Sequence, residues 1–292
     1  MINLQLDFLE GSTNYLDGID SSLIQFAIID IRNKPITIAL VHKNRAYIDR
    51  VTIHDKDFRA QNTQRLSYNN NLEILRKQKE NNIYGRANLP GQSIFYGALK
   101  TPEISLNRAT AFMETTSMVK DLSISEKYFT VSRWKLREDL KVFECVFQSE
   151  ENSNSGVSTS KESQTEFLHK LTKNEDLKTD AFRQLSFFSD QFSKYIDRGN
   201  PKQYMITAFF SDMIFNHPEN KNLEICGISY PSVQSELKGQ NIALLPQAVD
   251  KFLYFEQAVV MKAERQADGG IIIEKSLENA EVIDEHGNLN WK

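Results

Sequence analysis

Arg86 stands in Gly85-Arg86-Ala87-Asn88-Leu89-Pro90-Gly91, a run whose glycines and proline build a tight turn. The residue before a proline is pushed toward extended geometry, so Leu89 should leave the turn heading into a strand. A guanidinium fixed on such a turn suits bidentate contact with a phosphate, and equally suits a plain surface position. Arg59, in Asp57-Phe58-Arg59-Ala60, is either a salt-bridged surface residue or a second positive charge for a diphosphate. Tyr96 ends the apolar run Ile94-Phe95-Tyr96, as a core ring with a satisfied hydroxyl or as a platform for a planar base. Glu114, in Ala111-Phe112-Met113-Glu114, is either a solvated helix carboxylate or a charge held against a cationic transition state. Ser232 follows Tyr230-Pro231.

Other chemistries lack their residues. No Gly-x-Ser-x-Gly elbow surrounds Ser232, and no Walker A or GxGxxG loop occurs. His42, His54, His169, His217 and His286 show no metal-ligand spacing, so no metal is expected. Cys145 and Cys226 are the only cysteines; both sit in apolar runs and read as buried free thiols. The net charge of −4 and pI near 5.8 do not announce a nucleic-acid or acidic-membrane partner. No apolar run approaches a membrane span, and no basic start precedes an apolar leader, so a cytoplasmic protein is expected.

The elements that must position these side chains follow from periodicity. The 292 residues are 40% hydrophobic and 25% charged, an ordinary globular balance. Ile24 to Ile31 and Ile36 to Val41 read as strand-like, within an N-terminal extension over 1–56 packed on a main domain over 57–292. A short helix is expected near Leu72 to Leu75, a buried strand over Ile94 to Leu99, and a helix over Ser105 to Lys120 whose apolar face is Leu106, Ala109, Phe112 and Met113. Tyr128 to Leu136 and Lys141 to Phe147 read as a hairpin across Arg137-Glu138-Asp139. Residues 149–165 hold six serines in seventeen positions and read as a mobile loop, too polar to offset their ordering entropy. Phe182 to Tyr195 and Tyr204 to Phe215 are amphipathic helices, Ile225 to Tyr230 and Asn241 to Leu245 short strands. Leu253 to Arg265 and Gly270 to Leu277 form a hairpin at Asp268-Gly269-Gly270, with a tail over 278–292. Helices and strands without βαβ alternation favour α+β.

Taken in order, these pieces resemble the RES domain family, named for its arginine, glutamate and serine. Phe58-Arg59-Ala60 is similar to the family's opening element and Gly85 to Gly91 to its Gly-Arg-x-Asn-x-Pro-Gly element. Phe95-Tyr96-Gly97-Ala98 resembles the tyrosine strand, Ala111-x-x-Glu114 the glutamate helix, and Gly227 to Ser232 the serine element. The resemblance spans roughly 57–250. Two features depart from it. The gap from Tyr96 to Glu114 is long, which leaves Glu103 as a rival carboxylate. Cys226 stands where an aspartate is common.

The resemblance implies an ADP-ribosyltransferase-like fold, a mixed and split β-sheet with flanking helices whose cleft holds NAD. It implies an enzyme that cleaves the nicotinamide–ribose bond by hydrolysis or phosphorolysis, with NAD as substrate, inorganic phosphate as a candidate co-substrate, and a place among toxins of bacterial toxin–antitoxin pairs. Its catalytic residues would be Glu114, Arg86, Tyr96 and Ser232, and NAD would be bound by Arg59, Arg86, Tyr96, Asn88 and Ser232. Ser232 would hydrogen-bond the carboxamide or position Glu114. A cognate antitoxin and a homo-oligomer are the candidate protein partners. Two other readings stay open: a mono-ADP-ribosyltransferase acting on a protein or nucleic acid, and a catalytically inactive binding module.

Overall fold

The computed structural model describes residues 4–31, 39–42, 46–145, 175–197, 199–274, 277–282 and 284–292. The expected 149–165 loop lies outside them. The sheet is built on two long strands, β4 (Glu126–Leu136) and β8 (Leu253–Arg265). Both are rich in β-branched and aromatic residues, which pack well on a pleated surface. They pair antiparallel along their length, with a register shift between Arg133 and Trp134. The other strands are β1 (Ala39–His42), β2 (Tyr47–His54), β3 (Phe95–Leu99), β5 (Leu140–Glu144), β6 (Gly227–Ser232), β7 (Gly239–Leu244), β9 (Ile271–Ile273), β10 (Glu278–Val282) and β11 (Leu289–Trp291). They order as β1-β5-β6-β7-β3-β2-β4-β8-β10-β11, with β9 hydrogen-bonded to β8. The β5–β6 pair is parallel and the other described pairs are antiparallel, so the sheet is mixed and the fold α+β.

Helices cover the sheet. They are α1 (Leu4–Ser12), α2 (Ser21–Ile31), α3 (Leu72–Glu80), α4 (Asn107–Thr115), α5 (Glu175–Ser193), α6 (Met205–Asn216), α7 (Pro218–Asn222) and α8 (Pro246–Phe252). The largest core cluster joins Leu6, Leu9, Ile24 and Ile28 to Phe188, Phe192, Phe210 and Phe143. The Phe188 and Phe210 rings stack with centroids 3.8 Å apart. A buried phenylalanine of this kind costs about 3–5 kcal/mol to truncate to alanine. The N-terminal segment therefore shares its core with the rest of the chain. A second cluster lies under Phe252 of α8, and a third packs Ala111 and Phe112 of α4 on Val51, Ala98, Phe129 and Val131.

Three expectations about elements are corrected. Ile24 to Ile31 is helical, because Ile24, Ala27, Ile28 and Ile31 recur at spacings of three and four and bury one face; packing on α6 overrides the strand preference of isoleucine. Strands β4 and β5 are not a hairpin. One edge of β4 is taken by β2 and the other by β8, and β5 pairs instead with β1 and β6. The segment after Leu277, expected as a tail, supplies β10 and β11. The β8–β9 hairpin forms as expected, with Arg265 opposite Ile271.

The sheet opens at one point. β2 pairs β3 only at Ile48↔Leu99 and Asp49↔Ala98, and the strands then part. Asp49 is fully buried there and accepts two hydrogen bonds from Arg133, at 2.8 and 2.9 Å. Such a bidentate pair fixes geometry as well as charge. Gly97 is the first residue of β3 past the paired positions, and a Cβ on it would lie 2.4 Å from Ile48 Cγ2.

Candidate active site

A cavity of about 380 Å³ occupies the split, lined by Arg50, Arg86, Tyr96, Glu114, Tyr204, Tyr230 and Asn241 among others. Arg50 enters it from β2, just where β2 leaves β3. Its Nη1 donates to the Tyr96 carbonyl oxygen at 2.8 Å, and its Nε is buried with no hydrogen-bond partner. Burial pulls the guanidinium down to about 10, so it remains cationic near neutral pH. Arg50 is thus a buried cation on the cavity wall with one unmet donor, and an unmet charged donor costs more than a neutral one.

The turn at Gly85 sets the opposite wall. Gly85 N donates to Asn88 O at 3.0 Å. A Cβ at Gly85 would meet Asn88 Oδ1 at 2.1 Å and the Tyr96 hydroxyl at 2.9 Å, so only glycine fits. The Tyr96 hydroxyl donates to Asn88 Oδ1 at 2.6 Å and accepts from Ala87 N at 2.9 Å. Both hydroxyl roles are spent, which fixes the ring. Burial pushes the Tyr96 and Tyr230 phenols up, so both stay protonated. Asn88 acts on the turn and on Tyr96. Arg86 donates from Nη1 to Phe192 O at 2.7 Å and to Lys194 O, where α5 ends, and its guanidinium carbon sits 4.9 Å from the Tyr204 ring centroid. Exposed carbonyls at a helix C-terminus favour such a cation.

Glu114 comes from α4. The buried residues of that helix are Asn107, Thr110, Ala111 and Phe112 rather than the Leu106, Ala109, Phe112 and Met113 face expected from hydrophobicity, and Leu106 is exposed. Residues 107, 110, 111 and 114 share the inward stripe, which turns Glu114 toward the split. Ser232 Oγ donates to Glu114 Oε1 at 2.7 Å, and Gln234 N approaches the same oxygen at 3.3 Å. Ser232 is itself fully buried, so it holds the carboxylate and does not line the cavity.

The structure thus brings Arg86, Tyr96 and Glu114 to one cavity, with Asn88 and Ser232 directly behind them. It does not bring Arg59 there. Arg59 Nε donates to Glu278 Oε2 at 2.7 Å and Nη2 to Oε1, and the residue lines a separate cavity with Phe58, Asn62 and Arg65. Glu103 lies in an exposed turn away from the split, so the carboxylate on the cavity is Glu114. Arg50, Tyr204, Tyr230 and Asn241 are the lining residues that sequence reasoning missed as functional. Tyr230 lay inside a quoted motif; Arg50 carried no local signal. A larger cavity of about 600 Å³ near Asp212, Cys226 and Phe252 is bordered by a Gln92–Asp212 hydrogen bond and a Lys251–Glu224 ion pair. Its one lining cysteine is muted as a nucleophile, since burial pushes the Cys226 thiol up to about 12.

A mixed α+β sheet parts over a cavity lined by two arginines and, among the described residues, one carboxylate, Glu114, held by Ser232. The RES domain model matches residues 53–265, and the chain belongs to the RES domain family. Membership supports an NAD-related, toxin-type function at the level of the family, and an NAD-acting enzyme as the broad class. No curated protein matches the chain. Among the described residues no helix is long and apolar enough to cross a membrane, and no three His, Cys, Asp or Glu side chains gather as metal ligands would.

Proposed function

We propose that this protein cleaves the nicotinamide–ribose bond of NAD, by hydrolysis or phosphorolysis, as a toxin of a bacterial toxin–antitoxin pair. The observation that carries the reading is Glu114, held by Ser232 on the same cavity as Arg50 and Arg86. The nicotinamide of NAD is a pyridinium. When its bond to ribose C1′ breaks, the electron pair goes to the ring nitrogen and nicotinamide leaves neutral, so no general acid is needed. Glycosidases, by contrast, need two carboxylates. The positive charge left on the ribose is met by Glu114, directly or through the 2′-hydroxyl. Water or inorganic phosphate then attacks C1′, and the proton it sheds passes to solvent or to Glu114.

In this reading Arg50 and Arg86 bind the diphosphate, or the attacking phosphate in a phosphorolytic enzyme. The Tyr96 ring, held by Asn88 and Ala87, stacks on the nicotinamide. Ser232 is a positioning residue. Arg59, tied to Glu278, supports the fold near β10 in place of binding NAD. The cavity lies within the roughly 300–1,000 Å³ of small-molecule sites and suits the nicotinamide riboside half.

The test is mass-spectrometric product analysis after mixing the protein with NAD, with and without phosphate. ADP-ribose in both samples marks a glycohydrolase; a phosphorylated ADP-ribose only with phosphate marks a phosphorylase. Intact NAD in both samples overturns the reading. A labelled macromolecule from lysate would favour a transferase.

A further inference from the structure

A cavity of about 380 Å³ suits the nicotinamide riboside half of NAD, so the adenosine half lies outside it. The sheet closes the floor with Val51, Tyr96, Gly97, Tyr230 and Asn241. Helix α4 makes one wall through Ala111, Glu114 and Thr115, and the Arg86 turn with Tyr204 makes the other. Beyond both walls the two sides meet. Lys120, in the turn that follows α4, places its Nζ 3.2 Å from the centroid of the Tyr195 ring. Tyr195 directly follows Lys194, whose carbonyl accepts from Arg86. The contact therefore bridges the Glu114 side of the cavity and the Arg86 side.

Exposure marks this bridge as the outer end of the site. Glu114, Thr115, Arg86 and Tyr204 are half-buried, whereas Lys120 is exposed and Tyr195 is 51% exposed. The backbone under both is held. Met118 is buried and its carbonyl accepts from Arg265 Nη2, while Ile196 is buried beside Tyr195. The side chains are less committed, because an exposed cation–π contact is weak and a ligand can part it. Among the described residues Lys120 has no carboxylate partner; the ring is what its ammonium meets. The charged neighbours are engaged elsewhere: Asp121 with Ser123, Asp197 with the Gly199 N–H, and Lys194 with the Thr13 carbonyl. An aromatic face and an uncommitted ammonium, set side by side, match a planar base and a phosphate.

We infer that Lys120 and Tyr195 form the adenylate end of the substrate site. The Tyr195 ring stacks on the adenine, and the Lys120 ammonium leaves that ring for the adenosine-side phosphate. The inference rests on NAD as the substrate and extends that reading from the scissile half to the other half of the molecule.

The experiment compares kcat/KM for NAD with kcat/KM for nicotinamide mononucleotide, which keeps the scissile bond and one phosphate but lacks the adenylate. Lys120→Met and Tyr195→Ser should each lower the NAD-to-mononucleotide ratio by about tenfold, the loss of one charge-assisted contact or one stacked base. Tyr195→Phe keeps the ring and should keep the ratio. An unchanged ratio in Lys120→Met or in Tyr195→Ser overturns the inference, as does an equal loss in Tyr195→Phe. Calorimetric titration with ADP-ribose separates this result from the fate of the NAD reading. If the wild type cleaves neither nucleotide, NAD cleavage fails as the function. Weaker ADP-ribose binding by Lys120→Met and Tyr195→Ser, with the wild-type melt kept in circular dichroism, then still supports an adenylate site. Equal binding by wild type and variants, or no binding by the wild type, overturns it.

Discussion

Ser232, fully buried at the end of β6, donates a 2.7 Å hydrogen bond to Glu114 Oε1 on α4. A buried hydroxyl that spends itself on the carboxylate at a cavity wall orients that carboxylate without touching what the cavity holds. Hydrogen bonds to charged groups are worth about 1.5–3 kcal/mol, or roughly tenfold to a hundredfold in rate. Ser232→Ala is therefore expected to lower kcat for NAD by at least about tenfold with KM nearly unchanged. Steady-state kinetics decide it; a rise in KM with intact kcat would mean that Ser232 binds substrate.

The two arginine assignments separate cleanly. Arg50 lines the cavity with an orphan Nε, whereas Arg59 is neutralised by Glu278 in another place. Arg50→Met should raise KM for NAD by about tenfold or more, the loss of one charge-assisted contact. Arg59→Met should leave KM within about twofold. The reverse pattern would return the diphosphate to Arg59.

Arg50 also predicts a pH dependence. Burial pulls it down to about 10, below the ordinary arginine range, and the group is charged below that value. Anion binding should accordingly be level from pH 7 to 9 and weaken as pH passes about 10. For stability the sign is opposite. Above about 10, up to the ordinary arginine range, the unfolded chain holds the extra proton, so this group's contribution to stability rises with pH. KM for NAD measured from pH 7 to 10.5, in wild type and Arg50→Met, checks it; a rise confined to the wild type is expected.

Gly85→Ala places a methyl 2.1 Å from Asn88 Oδ1. Overpacking of a tight site costs about 1–3 kcal/mol. The variant should melt several degrees lower and lose the Asn88–Tyr96 hydrogen bond, with turnover falling as the Tyr96 ring loosens. An unchanged melt would show that the turn has room.

Much of this site was legible because its parts are local. The Arg86 turn, the Tyr96 strand, the Glu114 helix and the Ser232 strand each announce themselves within a few residues, and the α+β class follows from how they mix. Arg50 was not legible, because its place on the cavity comes from where β2 parts from β3, a matter of register between strands far apart in sequence. Arg59 misled for the same reason: its partner, Glu278, lies in β10, in a segment that reads as a tail. The inward turn of Glu114 was hidden because the buried stripe of α4 uses Asn107 and Thr110, which hydrophobic periodicity ignores. Helix α2 reads as a strand because its isoleucines favour one, and only its neighbours decide otherwise.

The central claim is that Glu114 carries the charge stabilisation in NAD cleavage, and nicotinamide release by wild type and Glu114→Gln, measured side by side, tests it most directly. The substitution keeps the shape and removes the charge, so release should fall by about 10²–10³-fold while the melt and the affinity for NAD are held. Near-wild-type release by Glu114→Gln would contradict the account.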